Sequence, residues 1–103
     1  MKVIPFDPAR YLDSEEAIAT YLSEVLDGGD VDAIMAAFNA VSRSVGMRTI
    51  AQKTGLGEKS LYKAFAPDTK PRFETVYRVA QALGVEFRMV PASKRRRRAI
   101  HVA

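Results

Sequence analysis

Apolar residues return at helical spacing five times along this chain, and a glycine or a proline-bearing loop cuts each run short. That pattern admits short helices packed on one another and leaves little room for a sheet. In the first run Ala17, Ile18, Tyr21, Leu22, Val25 and Leu26 share one stripe, and Gly28-Gly29 ends it. Asp13 or Ser14 can cap this helix, with Glu16 at capping-box spacing from Asp13. Glu15 and Glu16 answer the dipole of a first turn and are not read as a catalytic pair. The second run starts at Asp30 or Asp32, carries Val31, Ile34, Met35, Phe38, Val41 and Val45, and stops at Gly46. A third helix spans Met47 to about Thr54, with Ile50 and Ala51 inward; a fourth spans Glu58 to Phe65, with Leu61, Ala64 and Phe65 inward. After the loop "APDTKP", a fifth helix from Phe73 to Ala82 or Leu83 is expected to bury Phe73, Val76, Tyr77, Ala80 and Leu83.

Residues 85–90, "VEFRMV", change to a period of two and read as one short strand. Nothing else in the chain reads as its partner, so this segment must stay irregular, pack as an arm or pair with another chain. The tail holds Lys94, Arg95, Arg96, Arg97 and Arg98 in a row, and their mutual repulsion predicts disorder in the free chain. The expected organisation is an N-terminal lead and acidic helix (1–29), a helical unit with a terminal strand (30–90) and a basic tail (91–103). The absence of cysteine excludes disulfides and thiolate metal sites. Pro5, Asp7 and Pro8 interrupt the opening before a signal-type apolar stretch forms, and no segment approaches the ~20 apolar residues of a membrane span. A soluble, cytoplasmic protein without cofactor or metal is expected.

Charge is unevenly distributed. Residues 1–42 carry two basic side chains against eight acids, residues 43–78 eight against three, and residues 79–103 six against one. A basic region of this kind is the electrostatic footprint of nucleic-acid binding. An enzyme is disfavoured: the single histidine, His101, sits in the tail, and Ser60 and Lys63 form only an exposed i,i+3 pair. The acidic part, residues 7–32, should avoid DNA and could dock a basic protein.

Residues 47–65 set a short helix, a glycine turn and a second short helix in sequence, the order of a helix-turn-helix. Such a pair needs a small residue where the helices cross, a glycine at the turn and an apolar anchor on the second helix. Ala51, Gly55 and Leu61 supply them, and Leu56 adds an apolar residue inside the turn. Glu58, Lys59, Tyr62 and Lys63 are left pointing outward. Lys59 and Lys63 lie four apart on one face and can donate to guanine O6 and N7. Glu58 can accept from cytosine N4 or serve the helix dipole. Tyr62 fits a base contact or packing on its own helix, and Arg72 stands where a side chain can reach phosphates or a minor groove.

"FDPARYL", the acidic helix ending in "GGD", "VGMRTIAQKTGLGEKSLYKAF", "KPRFETV" and "ALGVEF" together resemble the addiction-module antidote (antitoxin) family, with a lambda repressor-like, Cro/C1-type DNA-binding domain. The resemblance covers about Phe6 to Phe87. It implies an all-α, five-helix helix-turn-helix domain with a short C-terminal strand and a basic tail. It also implies that Glu58, Lys59 and Lys63 lie on the recognition face with Ser60 near the DNA backbone. Gly46 and Met47 would offer main-chain N–H groups to a phosphate, and Arg43, Lys70 and Arg72 would flank the duplex. Lys70 stands where the family often has asparagine, and Gly57 where a Ser or Thr N-cap is usual. The implied partners are double-stranded DNA at the chain's own promoter and a RelE/ParE-type toxin, and a homodimer on a palindromic site is expected because one helix-turn-helix reads few base pairs. The readings set against it are a protein-interaction helical domain and a transcriptional regulator with no toxin.

Overall fold

In the computed structural model, which describes residues 14–92, the first two helices begin where a short polar side chain reaches back to the backbone. Ser14 Oγ accepts from the Ala17 N–H at 3.1 Å and opens α1, Glu15–Gly28. Asp30 Oδ1 accepts from the Asp32 and Ala33 N–H groups at 3.0 and 3.5 Å and opens α2, Val31–Val45. These are the N-cap bonds that replace missing helical partners. Three shorter helices follow: α3 (Met47–Thr54), α4 (Glu58–Ala64) and α5 (Phe73–Ala82). The described residues are all-helical, with five helices and no strand.

One residue, Gly46, joins α2 to α3 at φ +117°, a backbone region that side-chain-bearing residues rarely adopt. The turn between α3 and α4 is nearly as short. Gly55 takes φ +77° and its N–H donates to Ala51 O at 3.0 Å. Thr54 holds the same turn from its side chain, donating to Ile50 O at 2.8 Å and accepting from the Leu56 N–H at 3.2 Å.

A single core gathers all five helices. Phe38 and Val41 of α2, Ile50 of α3, Leu61 of α4 and Val79 of α5 are fully buried in it, each worth roughly 1.5–3 kcal/mol of transfer free energy. Ile18 and Leu22 bring α1 into the same core. Met47, Ala37 and Val79 are buried without having stood out in the sequence.

Three expectations are corrected. Phe73 and Tyr77 are 68% and 44% exposed: Val76, Ala80 and Leu83 are buried as expected, but the buried face turns toward Val79 and leaves the two rings at its edge. Residues 85–90 form no strand, since no segment within the described residues pairs with them. They pack as an arm instead: the Phe87 ring lies 5.8, 6.2 and 6.3 Å from the rings of Phe73, Tyr77 and Phe38. Val31 of α2 and Leu26 of α1, both placed in apolar stripes, are exposed, Leu26 only at the margin.

Ser42 is the one polar core residue among those described, and its hydroxyl has no hydrogen-bond partner. An unsatisfied buried hydroxyl costs about 1–3 kcal/mol of desolvation. Ser42→Ala is therefore expected to leave stability unchanged or raise it by about 1 kcal/mol. Urea denaturation checks this, and a loss of stability would show that the hydroxyl has a partner.

Candidate nucleic-acid interface

The short α4 is divided sharply between its two sides. Leu61 is fully buried and fixes the helix to the core, while Glu58, Lys59, Ser60, Tyr62 and Lys63 are all exposed. Helical spacing puts Lys59 and Lys63 on one line along the outer side. Gly57 gives the helix no side-chain cap, so its first N–H groups are left to solvent or a ligand. Ser60 Oγ hangs over this end, 3.7 Å from where a Cβ on Gly57 would stand.

Tyr62 has a partner outside its own helix. The Arg43 guanidinium, in the last turn of α2, lies 5.6 Å from the centre of the Tyr62 ring, within cation–π range. This contact places the end of α2 against Tyr62 of α4. Spacing in the sequence could not show it, since the two residues are nineteen positions apart.

Gly46 and Met47 divide the role expected of them. The Gly46 N–H already donates to Ser42 O at 2.9 Å, closing α2. Met47 buries its side chain in the core and opens α3, where its N–H precedes the first intrahelical bond, from Ile50 N to Gly46 O. Arg48, exposed in the first turn of α3, adds a cation there that motif reading had passed over.

The remaining cations are placed elsewhere. Lys70 lines an open apolar groove of about 470 Å³ between α2 and the start of α5, together with Val31, Asp32, Met35, Pro71 and Phe73. Arg72 is exposed at the N-cap of α5 and makes no side-chain capping bond. Lys94, Arg95, Arg96, Arg97 and Arg98 lie outside the described residues. Among the described residues no cluster of His, Asp or Glu could hold a metal ion, and no helix is long and apolar enough to cross a membrane.

Comparison with known proteins adds two findings. A family model described as "Probable addiction module antidote protein" matches residues 2–91. An uncharacterized protein of Haemophilus influenzae (strain ATCC 51907 / DSM 11121 / KW20 / Rd) is 37% identical over 84 residues, 82% of this chain and 87% of that protein. No solved structure was found to match. With the family model spanning nearly its whole length, the chain belongs to the family of probable addiction module antidote proteins.

Proposed function

We propose that this chain is the DNA-binding antidote of a toxin–antidote pair, which represses its own operon as a homodimer on a palindromic site. An antidote implies a toxin, and the family resemblance points to one of RelE/ParE type. The protein is a regulator, not an enzyme, and acts in the cytoplasm without a cofactor. In this reading α3 and α4 form a helix-turn-helix: α4 enters the major groove and α3 crosses the backbone. The observation that carries it is the division of α4, with Leu61 anchored in the core and Lys59, Lys63 and the Arg43–Tyr62 pair facing outward. Lys59, Lys63 and Glu58 would read base edges; Ser60, Arg43, Arg72, Lys70 and the Met47 N–H would hold phosphates. A homodimer doubles the few base pairs that one such helix can reach.

The basic tail supplies attraction without readout. Truncation after Ser93 removes five of the chain's sixteen Lys and Arg side chains and takes its formal net charge from +4 to −1. If all five reach phosphates, the log–log salt slope of binding should become shallower by roughly 4 to 5. The preferred sequence should stay the same. Salt titrations of full-length and truncated protein on the promoter duplex and on a scrambled duplex test this. Identical slopes would place the tail away from DNA. A full-length protein that binds both duplexes weakly and alike would favour a protein-interaction domain instead.

A further inference from the structure

We propose that the apolar groove between α2 and the start of α5 is the surface that holds the toxin, and that it takes a basic segment of the toxin with apolar side chains. The inference deepens the antidote of the proposed function and rests on that reading. Ile34 and Met35 line the groove half-buried, while Val31 and Phe73 line it 64% and 68% exposed. Nothing among residues 14–92 covers these side chains. A contiguous apolar surface rimmed by polar residues marks a place of protein contact. A groove of this kind suits a helix or a short segment that inserts a few apolar anchors.

Charge names the occupant. Residues 14–42 hold six acidic side chains and no Lys or Arg, and all six acids are exposed. Three of them fall in "LDGGDVD", residues 26–32, where α1 turns into α2. Leu26, Val31 and Asp32 of this turn line the groove, so its apolar wall and its acidic edge are made by the same seven residues. Asp30 is committed to capping α2, but Asp32 makes no ion pair among the described residues. Lys70 lies across the groove, in the loop before α5, and leaves the α1–α2 edge purely acidic. Such an edge repels phosphate, so DNA is not its occupant. Two copies seated groove to groove would bring together two α1–α2 units that each carry six acids and no base, and like charges oppose that contact. A basic segment meets no such cost. Its cations lie along the acidic turn while its apolar side chains enter beside Val31 and Phe73.

Surface plasmon resonance with the purified toxin of the same operon tests this on the full chain and three variants. Val31→Arg sets a long cationic side chain at the groove and should weaken toxin binding about tenfold or more. Asp32→Asn keeps the shape and removes one charge; it should slow association at low salt, with the difference fading as salt rises. Glu16→Gln removes an equal charge ten residues up α1 from Leu26, roughly 15 Å along the helix axis, and should change neither quantity. Val31→Arg that binds like the parent, or equal effects of Asp32→Asn and Glu16→Gln, would overturn the groove and leave the toxin–antidote pair standing. A parent chain that binds no toxin would remove the pair and the groove with it. Because Val31 is exposed, the urea midpoint and the sedimentation of Val31→Arg should match those of the parent. A clearly lower midpoint would mean that another part of the same chain fills the groove, and a shift to a smaller species that a second copy does. Either result would overturn the proposal.

Discussion

Phe38→Ala is expected to lower the stability of this domain by about 3 kcal/mol, the low end of the range for a buried phenylalanine. Phe38 is almost fully buried and stands where three elements meet. It packs in the core from α2, its ring stacks on Phe87 of the arm, and it borders both the apolar groove and a small cavity beneath α1. Truncation would join these two spaces. Because the groove is open, solvent and neighbouring side chains can enter the gap, which spares part of the cavity cost and sets the estimate low. A small domain holds about 5–15 kcal/mol in total, so the loss is a large fraction of what there is. Urea denaturation followed by circular dichroism should show a helical protein with a clearly lower midpoint. An unchanged midpoint would contradict the packing of α2 against the arm.

The helices were legible because their signals are local. Caps at Ser14 and Asp30, stops at Gly29, Gly46 and Gly55, and stripes at 3.6 spacing lie within a few residues of what they control. Leu61 and the outward lysines of α4 could be read for the same reason. Residues whose environment is made by distant elements could not. Phe73 and Tyr77 fit one apolar stripe with Val76, Ala80 and Leu83, and only packing of α5 on α3 and α2 turns Val79 inward and leaves those two rings outside the core. The alternation of residues 85–90 was real, but a strand requires a partner that periodicity cannot supply. Thr54 left a weak signal, a hydroxyl just before a glycine turn, which marks side-chain capping of the turn. The contact of Arg43 with Tyr62 left none, because it depends on how α2 and α4 are brought together.

The double substitution Lys59→Ala/Lys63→Ala is expected to abolish selective DNA binding while leaving the fold intact. Both side chains are exposed and unpaired with any acid among the described residues, so helical content and midpoint should stay close to those of the parent. Each base-edge contact is worth roughly 1–3 kcal/mol of discrimination, and two together about 2–6. General charge loss is the rival explanation. A matched control removes two cations elsewhere: Lys53 and Arg78 line a polar depression with Glu15, on α3 and α5, away from the outer face of α4. Lys53→Ala/Arg78→Ala lowers the net charge equally but should keep the preference for the promoter over a scrambled duplex.

The most direct measurement is fluorescence anisotropy of the full chain, the Lys59/Lys63 variant and the Lys53/Arg78 control on those two duplexes at one salt concentration. If α4 reads the DNA, the first variant should bind the promoter no better than the scrambled duplex, and the control should retain its selectivity. Equal selectivity in all three proteins, or an equal loss in both variants, would contradict α4 as the recognition helix.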